Sequence, residues 1–128
     1  PNDCLHYRCR WVHLRVESQQ TPFTATIPLG QVMRMPISHG DGRYYIDQAG
    51  WRRLVDGDQI IFRYCDANGV LAKDANPNGS LDQIAGVCNE RRNVLGLMPH
   101  PERAAEPILG SEDGCLMFAS ILDTFARI

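Results

Sequence analysis

The sequence predicts an α/β fold in which several short strands build a sheet and one amphipathic helix near the C-terminus closes it. Three observations carry this. Residues 9–17, CRWVHLRVE, place Trp11, His13 and Arg15 on one side and Val12, Leu14 and Val16 on the other. That period of two, rich in β-branched and aromatic residues, is the signature of a strand with one buried face. Beyond Asp113, the apolar residues Phe118, Ile121, Leu122 and Phe125 fall at i, i+3, i+4 and i+7, the spacing of a helix with one apolar stripe. Finally, 128 residues supply the core of one domain but not of two.

The remaining elements follow from their punctuation. Residues 18–30 hold two prolines and a glycine and read as turn and loop. Residues 32–38, VMRMPIS, read as a strand, and Pro36 within it requires an edge position or a strand end, because proline cannot donate to a ladder. The tetrad His39-Gly40-Asp41-Gly42 is a tight connection, after which Arg43-Tyr44-Tyr45-Ile46 reads as a resumed strand. Asp47 is placed to cap a short helix over 48–56, which Gly57 ends. Residues 59–65 form the next strand, and Asp66-Ala67-Asn68-Gly69 is a turn. Residues 74–80, DANPNGS, make a shaped loop, with Gly79 available for a positive φ. Two apolar strands, 84–89 and 94–98, flank the turn at 90–93. Pro101 then starts a short helix that Pro107 ends, and Asp113 caps the last helix.

Composition narrows the function. The chain is 44% hydrophobic and 22% charged with a net charge of −2, so neither nucleic acid nor an anionic membrane is implied as a partner. No apolar run approaches the ~18 residues that a membrane-spanning helix needs. Five scattered cysteines and no visible secretory signal suggest reduced thiols and a cytoplasmic location. The chain begins at Pro1 without an initiator methionine, so we expect either a processed or truncated product or residues upstream that are missing from it.

Three groups of residues carry candidate chemistry. Cys4, His6, Cys9 and His13 are all zinc-ligand types, but on one strand Cys9 and His13 would lie about 13 Å apart, too far for one ion, so no metal site is expected. His100 and Glu102 stand where the 94–98 strand stops at Pro99. A carboxylate two residues from a histidine can orient it as a general base; the same spacing also suits a plain strand-to-helix turn with a surface histidine. No cysteine partners His100 convincingly. Cys9, Cys65 and Cys88 lie inside strands, Cys115 follows Asp113-Gly114, Cys4 is near the terminus, and none has the glycine setting of a nucleophile elbow. The loops at 39–42 and 76–80 are Gly-rich and polar, and either one alone reads as turn chemistry. Together with the strand end at His100 they would line one pocket.

Five stretches, CRWVHLRVE (9–17), PISHGDGRYY (36–45), QIIFRY (59–64), NPNGS (76–80) and IAGVCNERRNVLGLMPHPERA (84–104), resemble the C-terminal half of a class I glutamine amidotransferase domain. Within that family they are most similar to the glutaminases that serve phosphoribosylformylglycinamidine synthase in purine biosynthesis. The resemblance implies a flavodoxin-like fold, an open twisted sheet with flanking helices, of which residues 1–128 would be the C-terminal portion. It implies a Cys-His-Glu triad in which His100 and Glu102 are catalytic, and a site at Ser38, His39, Gly40 and Asp41 that holds glutamine. The cysteine and the oxyanion loop belong to the N-terminal half in this family, so the chain alone is expected to be inactive. No cofactor is expected in this chain; ATP and magnesium would sit on a synthetase partner, with a small bridging subunit also implied. The NPNGS loop would lie near the pocket or the synthetase. Two departures stand out: Asp41 replaces the family's usual Glu, and the turn at 90–93 lacks a frequent glycine, leaving Asn93 to take the left-handed conformation. The rival readings are an amidotransferase domain feeding a GMP or carbamoyl phosphate synthetase, and a non-catalytic module that stabilises a partner.

Overall fold

A computed structural model describes residues 1–127. Five strands form one open sheet: β1 (Arg8–Val16), β2 (Val32–His39), β3 (Ile60–Cys65), β4 (Ile84–Cys88) and β5 (Leu95–Leu97). Their order is β2-β1-β3-β4-β5, and every pairing is antiparallel. Helix α1 (Gln48–Asp56) lies between β2 and β3 in sequence, and helix α2 (Gly114–Ala126) follows the last strand. The mixed α/β architecture matches the expectation from sequence.

The sheet forms where alternation demands it. Val12, Leu14 and Val16 of β1 face the core beside Met33, Met35 and Ile37 of β2, all at most 5% exposed. Phe62 and Tyr64 of β3 extend that face, and Ala104 and Met117 cover it. Each such large side chain contributes about 1.5–3 kcal/mol by leaving water. Pro36 lies opposite Trp11 on β2, and β2 is an edge strand, as its missing N–H requires. Asp47 caps α1 by accepting from the Gly50 N–H at 2.7 Å. Gly79 has φ +80, and an added Cβ there would strike Asp3. The five cysteines are free; Cys65 and Cys88 are buried, whereas Cys9 is exposed.

Several local expectations are overturned. Residues 43–46 form no strand, because their backbone is bonded elsewhere: Tyr44 N–H donates to Ser80 Oγ, and the Tyr44 carbonyl accepts from Leu81. Asn93 is not left-handed; Arg92 takes that role with φ 60, held by the Asn89 side chain, which accepts from the backbones of Asn93 and Val94. Pro107 does not stop a helix begun at Pro101. Each proline starts its own 3₁₀ turn, Pro101–Ala104 and Pro107–Leu109. Asp113 precedes α2 without a side-chain cap; its carboxylate accepts from the Arg34 backbone N–H instead. The apolar stripe of α2 is also out of phase with its packing. Gly114, Met117 and Ser120 face inward, while Phe118, Leu122 and Phe125 are 41–71% exposed.

Candidate active site

The site is assembled where the chain leaving β5 meets β2, the strand at the other edge of the sheet. β5 leads into Pro99, and the next residue is locked by a backbone bond from His100 N–H to the Pro36 carbonyl of β2, at 2.9 Å. The fixed φ of Pro101 then turns the chain into the 3₁₀ turn Pro101–Ala104, which brings Glu102 back beside its neighbour. His100 Nδ1 lies 2.8 Å from Glu102 Oε1. With Nδ1–H donating to the carboxylate, Nε2 is left as the basic nitrogen. Burial works against the Glu102 carboxylate, but its own backbone N–H, the His100 hydrogen bond and the charges of His100 and Arg103 outweigh it and hold its pKa below the usual value.

A cavity of about 280 Å³ opens at this pair, walled by Phe23, Leu97, Met117, Phe118 and Ile121. None of the five cysteines lines it. The start of α2 packs so closely that a Cβ on Gly114 would fall 2.0 Å from the Pro101 carbonyl oxygen.

The 38–41 segment leaves the end of β2, the strand that anchors His100. Ser38 Oγ bonds the Tyr7 hydroxyl at 2.7 Å, and Tyr7 also lies against Gly40. Asp41 is exposed. His39 is turned inward. Burial first, and the charge of His100 second, push its pKa below the ordinary 6.5. Its Nε2 meets the Asn78 side-chain amide at 3.0 Å. Among the described residues, His39 Nδ1 and Arg8 Nε are buried nitrogens without a hydrogen-bond partner. They belong to residues directly opposite each other on β2 and β1.

Structure therefore brings His100 and Glu102 into contact and places Ser38, His39, Gly40 and Asp41 at the end of β2, the strand whose Pro36 carbonyl holds His100. The one pocket expected from the sequence is not formed, since no residue of the 38–42 or 76–80 loops lines the cavity at His100. Sequence reasoning missed Asn78, Asn2 and Tyr7. Asn78 and Asn2 are fully buried, and their signal was a pair of asparagines flanked by turn residues, which reads as surface loop. No three His, Cys, Asp or Glu side chains come together as a metal site among the described residues.

The model of the CobB/CobQ-like glutamine amidotransferase domain matches residues 1–113. The chain belongs to this amidotransferase family. Among its relatives, the phosphoribosylformylglycinamidine synthase subunit PurQ of Moorella thermoacetica is 52% identical over 126 residues, covering 98% of this chain and 53% of the relative. The PurQ subunits of Methanosarcina barkeri and Aquifex aeolicus are 50% and 49% identical, each over 95% of this chain and 53% and 54% of the relative. The chain thus spans about half the length of these amidotransferase relatives. A solved structure of PurLQS from Thermotoga maritima shares the fold with a TM-score of 0.79 and 42% identity, over 97% of this chain and 50% of that one. None of the described helices is long and apolar enough to cross a membrane.

Proposed function

We propose that this chain is the His–Glu-bearing part of the glutaminase of a phosphoribosylformylglycinamidine synthase, acting in the cytoplasm. The observation that carries the reading is the 2.8 Å bond from His100 Nδ1 to Glu102, which leaves Nε2 as the basic nitrogen of a histidine that lines a cavity beyond β5. The PurQ identity near 50% supports this pathway over the GMP and carbamoyl phosphate alternatives.

In this reading a cysteine thiol supplied from outside these 128 residues gives its proton to His100 Nε2 and attacks the side-chain amide carbon of glutamine. His100 returns the proton to the departing nitrogen, and ammonia leaves a glutamyl thioester. Water, deprotonated by His100, then attacks the thioester; glutamate and the thiol are restored. Glu102 holds the imidazole in the Nδ1–H tautomer and stabilises the imidazolium, the division of labour of a Ser-His-Asp triad. Ser38, His39, Gly40 and Asp41 hold the amino-acid end of glutamine. The ammonia passes to a synthetase subunit that carries ATP and magnesium.

The test is ammonia release from glutamine by the complete encoded protein and by the purified 128-residue chain. Turnover by the first and none by the second is the expected result. Turnover by the chain alone that survives replacement of its cysteines would overturn the missing-nucleophile reading. No turnover by the complete protein with its synthetase would leave the non-catalytic module as the answer.

A further inference from the structure

We infer that Asn78, from the NPNGS loop, is the positioning residue of the glutamine-holding segment: it clamps His39 and Gly42 from behind and so sets the backbone between them. The inference rests on the glutaminase reading above.

Asn78 is 0% exposed although it lies in a loop that sequence marks as polar and turn-like. Its side-chain nitrogen donates to the Gly42 carbonyl at 2.8 Å and meets His39 Nε2 at 3.0 Å. Its side-chain oxygen accepts from the Ser80 N–H at 3.1 Å and the Ser80 hydroxyl at 2.8 Å. Those two donors fix which end of the amide is oxygen, so the nitrogen must face His39 and Gly42. His39 Nε2 is then the acceptor, and the ring carries its proton on Nδ1.

A second asparagine closes the clamp from the other side. Asn2 donates to the His39 carbonyl at 2.9 Å and accepts from the Gly42 N–H at 3.1 Å, while its own N–H donates to the Gly40 carbonyl. The two clamps are joined, since Asp3 N–H donates to the Asn78 carbonyl. Gly42 seals the arrangement. A Cβ there would lie 2.2 Å from the His39 ring, so only glycine lets the imidazole reach Asn78.

These bonds hold the His39 imidazole at Nε2 and the backbone of 39 and 42, and leave His39 Nδ1 buried without a partner. Asp41 is left at the exposed tip, and Gly40 lies against Tyr7 beside Ser38. Preorganisation of this kind lowers the ordering cost of a bound ligand, so its loss is felt in binding before chemistry. His100 is anchored separately, on Pro36, which is why chemistry and binding come apart.

The experiment uses the complete protein with its synthetase partner. Asn78→Asp keeps the shape but cannot donate to Gly42 or His39. Ser80→Ala is a milder change that removes one of the two donors to the Asn78 oxygen, and with it the acceptor of the Tyr44 N–H. We expect Asn78→Asp to raise the KM for glutamine about tenfold or more with kcat changed about threefold or less, and Ser80→Ala to shift KM in the same direction by less. Synthesis driven by added ammonia should be unchanged in both. Hydrogen exchange at Gly42 and Tyr44 should quicken in both variants while β1 amides hold. An unchanged KM with an active wild type would overturn the positioning role alone. Equal losses in kcat and KM, matched by faster exchange throughout β1, would assign Asn78 to global stability instead. An inactive wild type would remove the glutaminase reading and this inference with it.

Discussion

Replacing Gly114 by Ala separates packing from propensity. Gly114 opens α2, and Ala inside a helix is favoured over Gly by about 0.8–1 kcal/mol, so sequence rules forecast a more stable protein. The structure forecasts the reverse. The added Cβ would lie 2.0 Å from the Pro101 oxygen and 2.8 Å from both the Pro101 carbon and the Ala104 oxygen. All three are backbone atoms and cannot rotate away. To regain ordinary contact the start of α2 must retreat by roughly 1.4 Å, pulling Met117 off the buried face that it shares with Ala104. Overpacking costs about 1–3 kcal/mol, and against backbone atoms the upper part of that range, about 2–3, applies; less the propensity gain, about 1–2 kcal/mol of destabilisation remains. A chain of this size loses about 4 °C in Tm per kcal/mol, so a fall of about 4–8 °C is expected by thermal unfolding. Ala119→Gly, on the exposed side of the same helix, measures the propensity term by itself. A Gly114→Ala variant as stable as wild type, or more so, would refute the close-packing argument.

Two further outcomes follow. His39 has a depressed pKa in the folded state, so the unfolded chain binds its proton first as pH falls. Its contribution is present above the ordinary 6.5 and is lost as pH drops below that value; Tm should fall between pH 7 and 5.5, and His39→Asn should flatten that part of the curve. On α2, Leu122 and Phe125 are 71% and 61% exposed, and the isolated 128-residue chain is expected to self-associate through apolar surface. Leu122→Gln with Phe125→Gln should lower the sedimentation-detected association while each changes stability by only about 0.5 kcal/mol. A monodisperse wild-type chain at high concentration would count against this.

Strand positions were legible in the sequence because they depend on alternation, which is local. Val12, Leu14 and Val16 announced their buried face, and Pro36 announced an edge. The cap at Asp47 was legible for the same reason, since donor and acceptor lie three residues apart. What was hidden depends on partners far along the chain. Residues 43–46 look like a strand until Ser80 and Leu81 take their backbone groups. The phase of α2 is set by its fit of Gly114 onto the Pro101 turn, which outweighs the larger stripe of Phe118, Leu122 and Phe125. In the site, His100 and Glu102 were readable as a pair two residues apart. The roles of Asn2 and Asn78 were not, because an asparagine beside Pro or Gly reads as a surface turn, and only the fold shows that both are buried against the 39–42 loop.

The most direct measurement is glutamine hydrolysis by the complete protein bearing His100→Ala or Glu102→Gln. If His100 is the general base, its loss should cut kcat by about 10²–10⁴, and Glu102→Gln by a smaller factor because that carboxylate is 58% exposed. Wild-type kcat in the His100→Ala variant would contradict the assignment of this strand end as the catalytic centre.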